Sequence, residues 1–141
     1  IGILIVLLGI AAFLWVRRSP AAHVSSVPAS TETDSENGVM VLDTFAPWKE
    51  FLLNSKNEKA LKINYAVFPS SRGGYNVYAV PLELGSFENR KSLPIKWRGL
   101  RDKELQEVTG VESARFCHNA GFICSADSKA GALELAFMAN K

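Results

Sequence analysis

Six cations fall within fourteen residues, Arg90, Lys91, Lys96, Arg98, Arg101 and Lys103, with Trp97 set among them. Arginine presents a planar fork of donors matched to phosphate oxygens, and an indole can stack on a base or a ribose. The run therefore suits a phosphorylated ligand or RNA, centred on Arg98 and Arg101 in the segment WRGLR and beginning at Arg90. A second reading stays open: a solvated loop and helix start neutralised by Glu88, Asp102 and Glu104, with Trp97 as a core anchor.

His118 follows Phe116 on the same face of a predicted strand and precedes Asn119, Ala120 and Gly121. An imidazole at a strand end beside a glycine turn can reach a phosphate or carry a proton. A buried, hydrogen-bonded structural histidine fits the same letters. The loop Ser70-Ser71-Arg72-Gly73-Gly74 can offer backbone donors to an anion, or serve only as a turn. Two-metal phosphoester chemistry needs a cluster of Asp and His ligands holding ions about 4 Å apart. From Val39 onward there is one His, with Asp43, Asp102 and Asp127 scattered around it. Neither a metal site nor a catalytic residue is expected in this part. Cys117 and Cys124 lack a redox or nucleophilic motif and default to buried apolar roles, reduced in a cytoplasmic setting.

The elements that must place these residues can be read from pattern. Val39 to Asp43 is a short β-rich run, and Pro47 stands at a natural helix start before Trp48, Phe51 and Leu52. Lys62 to Phe68 alternates, with Ile63, Tyr65 and Val67 on one face, and Tyr75 to Val80 is aromatic and β-branched. Gly73 and Gly74 between them permit the positive φ of a hairpin loop. Pro81 to Pro94 reads as loop. Asp102 opens a helix that Gly110 stops, Ala114 to His118 is a strand, and Ser128 starts a helix over Lys129 to Ala139 with Ala132, Leu133, Ala136 and Phe137 in its apolar stripe. The fold class is α+β, a single mixed domain with an antiparallel β-hairpin and three short helices, preceded by a transmembrane helix.

That preceding helix is residues 1–18. Ile1 to Val16 holds no charge, and Arg17 and Arg18 close it. A spanning helix needs about 20 apolar residues, so the run reads as truncated, consistent with a chain that starts on Ile. The arginine pair puts the downstream residues on the cytoplasmic side, as an anchored domain. A cleaved signal, a core helix and a misjoined reading frame are the alternatives. Residues 19–38, rich in Ser, Thr, Pro and acidic side chains, read as a disordered linker. Residues 39–141 then form the folded part, with 14 Lys or Arg against 11 Asp or Glu. The whole chain, 141 residues at a net charge of +2, is too short for two catalytic domains and too balanced for a polybasic nucleic-acid coat.

The succession VLD, PWKE, FPSSRGGYNVYAVP, FENRK, WRGLRDKEL, CHNAGF and KAGALELA resembles the C-terminal half of the melanocyte-proliferating-gene family, from Val39 to about Ala139. SRGGYN and CHN look closer to its bacterial branch. The family comprises metal-dependent hydrolases related to DHH phosphoesterases, with eukaryotic members known as RNA exonucleases. The resemblance implies a substrate-binding half that holds phosphate or RNA through Arg90, Trp97, Arg98, Arg101, His118, Asn119 and Gly121. It implies manganese or magnesium in a catalytic half expected to be absent from this chain. One departure stands out: Cys124, Ser125 and Ala126 replace the glycine pair that many relatives carry after GFI. A membrane-tethered, non-enzymatic interaction module is the alternative function.

Overall fold

The computed structural model describes residues 31–34 and 37–141. The transmembrane helix assigned to 1–18 lies outside them. No helix among the described residues is long and apolar enough to cross a membrane.

Six strands form one mixed sheet in the order β1-β2-β3-β4-β6-β5. They are β1 (Thr31–Asp34), β2 (Val39–Leu42), β3 (Tyr65–Pro69), β4 (Tyr75–Ala79), β5 (Ala114–Cys117) and β6 (Ile123–Ala126). Only β2 and β3 run parallel, so a crossover must join them. It consists of α1 (Trp48–Asn54) and α2 (Glu58–Leu61). Helices α3 (Asp102–Thr109) and α4 (Lys129–Asn140) complete the fold, with a single 3-10 turn at Ile95–Trp97. Four α-helices thus stand among the described residues where three were expected. The extra one, α2, is a single turn started by the Asn57 side chain, which accepts a hydrogen bond from Lys59 N; four residues are too few to show a period.

Local chemistry explains most boundaries. The predicted hairpin is present as β3–β4, with Gly73 and Gly74 at φ +93° and +73°. Ser128 caps α4 by accepting from Gly131 N at 3.0 Å. Gly110 ends α3 in the left-handed conformation. Pro47 takes the residue before α1 rather than its first position. The tract expected to be linker includes β1, whose Thr33 pairs with Met40 across an antiparallel ladder. The other unforeseen strand, β6, is short and made largely of small residues, yet it lies between β4 and β5.

Two clusters pack on opposite faces of the sheet. On one, Val39, Val41, Tyr65, Val67, Val77, Ala79, Cys117 and Cys124 meet Ala132, Leu135, Ala136 and Ala139 of α4, with Leu105 of α3 beside them. The apolar stripe of α4 is therefore rotated from the expected one, with Leu133 and Phe137 only partly buried. On the other face Met40, Leu42, Ala66, Phe68 and Val80 meet Trp48, Leu52, Ala60 and Ile63. Ile63 belongs to this second cluster, not to the face of Tyr65 and Val67, because β3 begins only at Tyr65. Helices α1 and α2 cover the second face over β2 and β3. Over β4, β6 and β5 the burial alternates: Val77, Ala79, Cys124, Ala126 and Cys117 are buried, whereas Asn76, Tyr78, Ile123, Ser125, Phe116 and His118 are half-buried. Among the described residues, no helix lies on that half of the second face.

Candidate functional site

The uncovered half-sheet brings an aromatic row together. Tyr78 on β4 meets Phe122 edge to face at 5.4 Å, Phe122 lies 4.7 Å from the His118 ring, and His118 meets Phe116 of β5 at 6.1 Å. A cation closes each end. Lys49, from the first turn of α1, places Nζ 3.0 Å from Tyr78 Oη and 4.1 Å from the ring centroid. Arg101 sets its guanidinium 4.7 Å over Phe116. Cation–π pairing holds both charges over apolar rings while leaving donors for an incoming anion.

Beside this row lies a cleft of about 600 Å3, lined by Lys49, Tyr78, Asn89, His118 and Phe122 and rimmed by the Pro81–Asn89 loop. The loop, held by a bridge between Pro81 and Asn89, leaves Phe87 fully exposed at the rim. His118 Nδ1 accepts a hydrogen bond from Ala120 N at 3.0 Å. That bond makes Nε2 the protonated nitrogen of the neutral ring, a donor toward any ligand it meets. A second hollow, about 480 Å3, is lined by Arg72, Asn76, Arg115, Phe116, Ser125 and Asp127 among others. Tyr78, Phe122 and His118 line the first cleft, and Asn76, Ser125 and Phe116 the second, so the two lie along one sheet face.

The structure divides the residues that the sequence proposed. Trp97 is only 5% exposed within the first core cluster, so of its two readings the core anchor is the one realised, and it offers no stacking surface. Arg98 turns back: Nε and Nη2 donate to Leu93 O at 3.0 and 2.9 Å. Its charge is near enough to Tyr65 and Cys117 to oppose the rise that burial imposes on both, taking Cys117 only to about 11. Arg90 donates from Nη1 to the carbonyls of Ala60 and Ile63, both at 2.8 Å, at the end of α2, and burial lowers its pKa. Lys91 does the same for Asn140 O at the end of α4. Three of the six cations therefore clamp backbone.

Asn119 and Gly121 sit where the His118 turn packs against WRGL. Gly121 has φ +70°, and a β-carbon there would collide with the Arg98 guanidinium. The Asn119 side chain occupies the space a side chain on Gly99 would need. Gly99 N donates to Cys117 O and Cys117 N to Leu100 O, stitching the two segments. Arg98, Asn119 and Gly121 thus hold the turn in place, while His118 and Arg101 face the open half-sheet. Reasoning from sequence passed over Lys49, Asn76, Phe87, Phe122 and Ser125. The only signal for Asn76 and Tyr78 was their alternation with Val77 and Ala79.

The described residues do not fit a catalytic metal. Among those described, no three His, Cys, Asp or Glu side chains converge on a common point. Asp102 and Asp127 both pair with Arg115, at 3.5 and 2.6 Å, and Asp43 pairs with Lys129 at 3.0 Å.

Comparison with known proteins extends the resemblance read from the sequence. The profile of an uncharacterised protein family, UPF0160, matches residues 10–139, so the matched region starts within the apolar run and takes in the tract read as linker, well before Val39. The MYG1 protein of Dictyostelium discoideum is 39% identical over 107 residues, which cover 74% of this chain and 32% of that protein. The MYG1 protein of Saccharomyces cerevisiae is 38% identical over 120 residues, covering 84% of this chain and 36% of the relative. The mouse MYG1 exonuclease is 40% identical over 92 residues, 64% of this chain and 24% of its own. The chain spans about a third or less of the length of these relatives. No solved structure matches it. With a family profile covering nearly all of its length, the chain belongs to the MYG1 exonuclease family, UPF0160.

Proposed function

We propose that this domain is the substrate-holding part of a MYG1-type exonuclease, with single-stranded RNA or another phosphorylated chain lying across β4, β6 and β5. The observation that carries the reading is the row Tyr78, Phe122, His118 and Phe116, flanked by Lys49 and Arg101, on a half-sheet that no helix of the described residues covers. Rings stack on bases whatever their identity, and cations at both ends of such a row meet the charges between them. His118 and Arg101 keep the binding roles inferred from sequence. Arg90, Arg98, Asn119 and Gly121 become supports of the binding turn and its surroundings, and Trp97 becomes core. Kinship with DHH phosphoesterases and with the bacterial branch of the family, and a requirement for manganese or magnesium, belong to this same reading. Since the described residues do not fit a metal, the cutting chemistry is assigned to the longer part of the family that this chain does not span.

The test is fluorescence anisotropy of a labelled short RNA with the full chain at several salt concentrations, comparing the parent with Phe116→Ala and Phe122→Ala. Stacking supports about 1–3 kcal/mol per base, so each variant should bind roughly fivefold to 150-fold more weakly. Binding in the parent should also weaken as salt rises. Undetectable binding, or variants that bind like the parent, would overturn the reading.

A further inference from the structure

The hollow beside the aromatic row has features that general stacking does not require. Asn76 and Ser125 are register partners across β4 and β6, and Phe116 and Ser125 are register partners across β5 and β6. Asn76, Ser125 and Phe116 therefore stand side by side in one cross-strand row, all half-buried. No side-chain hydrogen bond links Asn76 or Ser125 to another described residue, so both keep their donors and acceptors for a ligand in the hollow. The alternate positions beneath them, Val77 and Cys124, are fully buried, so the row rests on a rigid floor. Ser70 to Gly73 wall the hollow at one end, and the exposed Arg72 side chain makes no hydrogen bond or ion pair with a described residue.

We infer that this hollow is a base-reading subsite, in which one nucleobase stacks on Phe116 while Asn76 and Ser125 read its edge. The inference rests on the proposed function and names what that surface selects. An asparagine amide offers one donor beside one acceptor. That pair complements a base edge carrying an acceptor next to a donor, which every base displays once unpaired, adenine at N7 and N6, cytosine at N3 and N4, uracil at O4 and N3. The Ser125 hydroxyl, donor or acceptor by rotation, completes the edge. Arg72 at the rim is placed for the adjoining phosphate, a contact without sequence information. The substrate class is thus single-stranded RNA with one base read by its edge at a fixed position, set by Asn76.

Anisotropy competition with pentamers of adenylate, uridylate and cytidylate tests this, using the full chain, Asn76→Ala, Ser125→Ala and Arg72→Ala. The parent should bind its best pentamer about tenfold more tightly than its worst, the discrimination expected of a bidentate contact. Asn76→Ala should bring the three pentamers to within about threefold while leaving the salt slope unchanged. Arg72→Ala should weaken all three alike and flatten the slope. Equal binding of the pentamers by the parent, or a preference that survives Asn76→Ala, would overturn the subsite and leave the functional reading standing. Failure of every pentamer to bind would remove both.

Discussion

The two ends of the sheet obey one alternation and two different coverings. Around β2 and β3 both faces are closed: Met40, Ala66 and Phe68 lie against Trp48 and Leu52, while Val39, Tyr65 and Val67 face α4. At β4, β6 and β5 the described residues close only the α4 side. The side chains opposite Val77, Cys124 and Cys117 are Tyr78, Asn76, Ser125, Phe116 and His118, which would be wasteful as packing and suit recognition. A half-covered aromatic row forgoes apolar burial of about 25 cal/mol per Å2 left in water. Stability is thus concentrated at one end of the sheet and binding chemistry at the other.

The largest test of that division is at the closed end. Trp48→Ala removes the ring that contacts Phe68 at 6.1 Å and Tyr78 at 5.5 Å. It should cost about 3–5 kcal/mol, read as a shift in the urea midpoint. Phe116→Ala, on the open end, should cost less, about 1–2 kcal/mol, since the ring is already partly exposed. Equal losses would erase the distinction between the ends. Because Trp48 neighbours Lys49, its loss also separates stability from binding only when compared with Phe116→Ala, which should weaken RNA binding without loosening the fold.

A second comparison sets Arg98 against Arg101, the pair that sequence reasoning treated as one. Arg98→Ala releases two charge-assisted hydrogen bonds to Leu93 O and should cost about 1.5–3 kcal/mol of stability. Arg101→Ala gives up one exposed contact over Phe116 and should leave the urea midpoint nearly unchanged while reducing RNA affinity several-fold. The reverse pattern would return Arg98 to the binding surface.

What could be read from the letters was whatever depends on neighbours in the chain. The β3–β4 hairpin announces itself through Gly73 and Gly74 between alternating runs, and α4 through Ser128. β6 escaped because Ile-Cys-Ser-Ala has weak β-propensity and becomes a strand only by lying between β4 and β5. β1 escaped because Thr-Glu-Thr-Asp sits in a polar tract and needs β2 to pair with. The site was half legible for the same reason. His118 and Phe116 share a strand, so their common face could be read from spacing. Which way Trp97 and Arg98 turn depends on α4, Leu93 and Tyr65, all set by the tertiary fold. Lys49 reaches the site only because the crossover between β2 and β3 lays α1 beside Tyr78.

A dependence on pH separates a sheet open on one face from a sheet that is loose. Cys117 and Cys124 pair across β5 and β6 on the closed face, and both are fully buried. Burial raises both thiols above the ordinary value of 9.0, Cys117 to about 11. Between pH 9 and 11 the native state therefore keeps a proton on Cys117 that the unfolded chain has released. Unfolding then releases a proton, so stability must fall as pH rises, by at most about 1.4 kcal/mol per pH unit for one group. Below pH 9 both states hold the proton and the slope from this group vanishes. Urea midpoints from pH 8 to 11 should be flat and then decline, and Cys117→Ala should shallow the decline, with the remainder from Cys124 and the similarly raised Tyr65 phenol. A thiol reagent at pH 8 should label neither cysteine until urea unfolds the chain. Rapid labelling of the native protein would mean that β5 and β6 open readily, and the aromatic row above them could not be the preformed platform that its geometry describes.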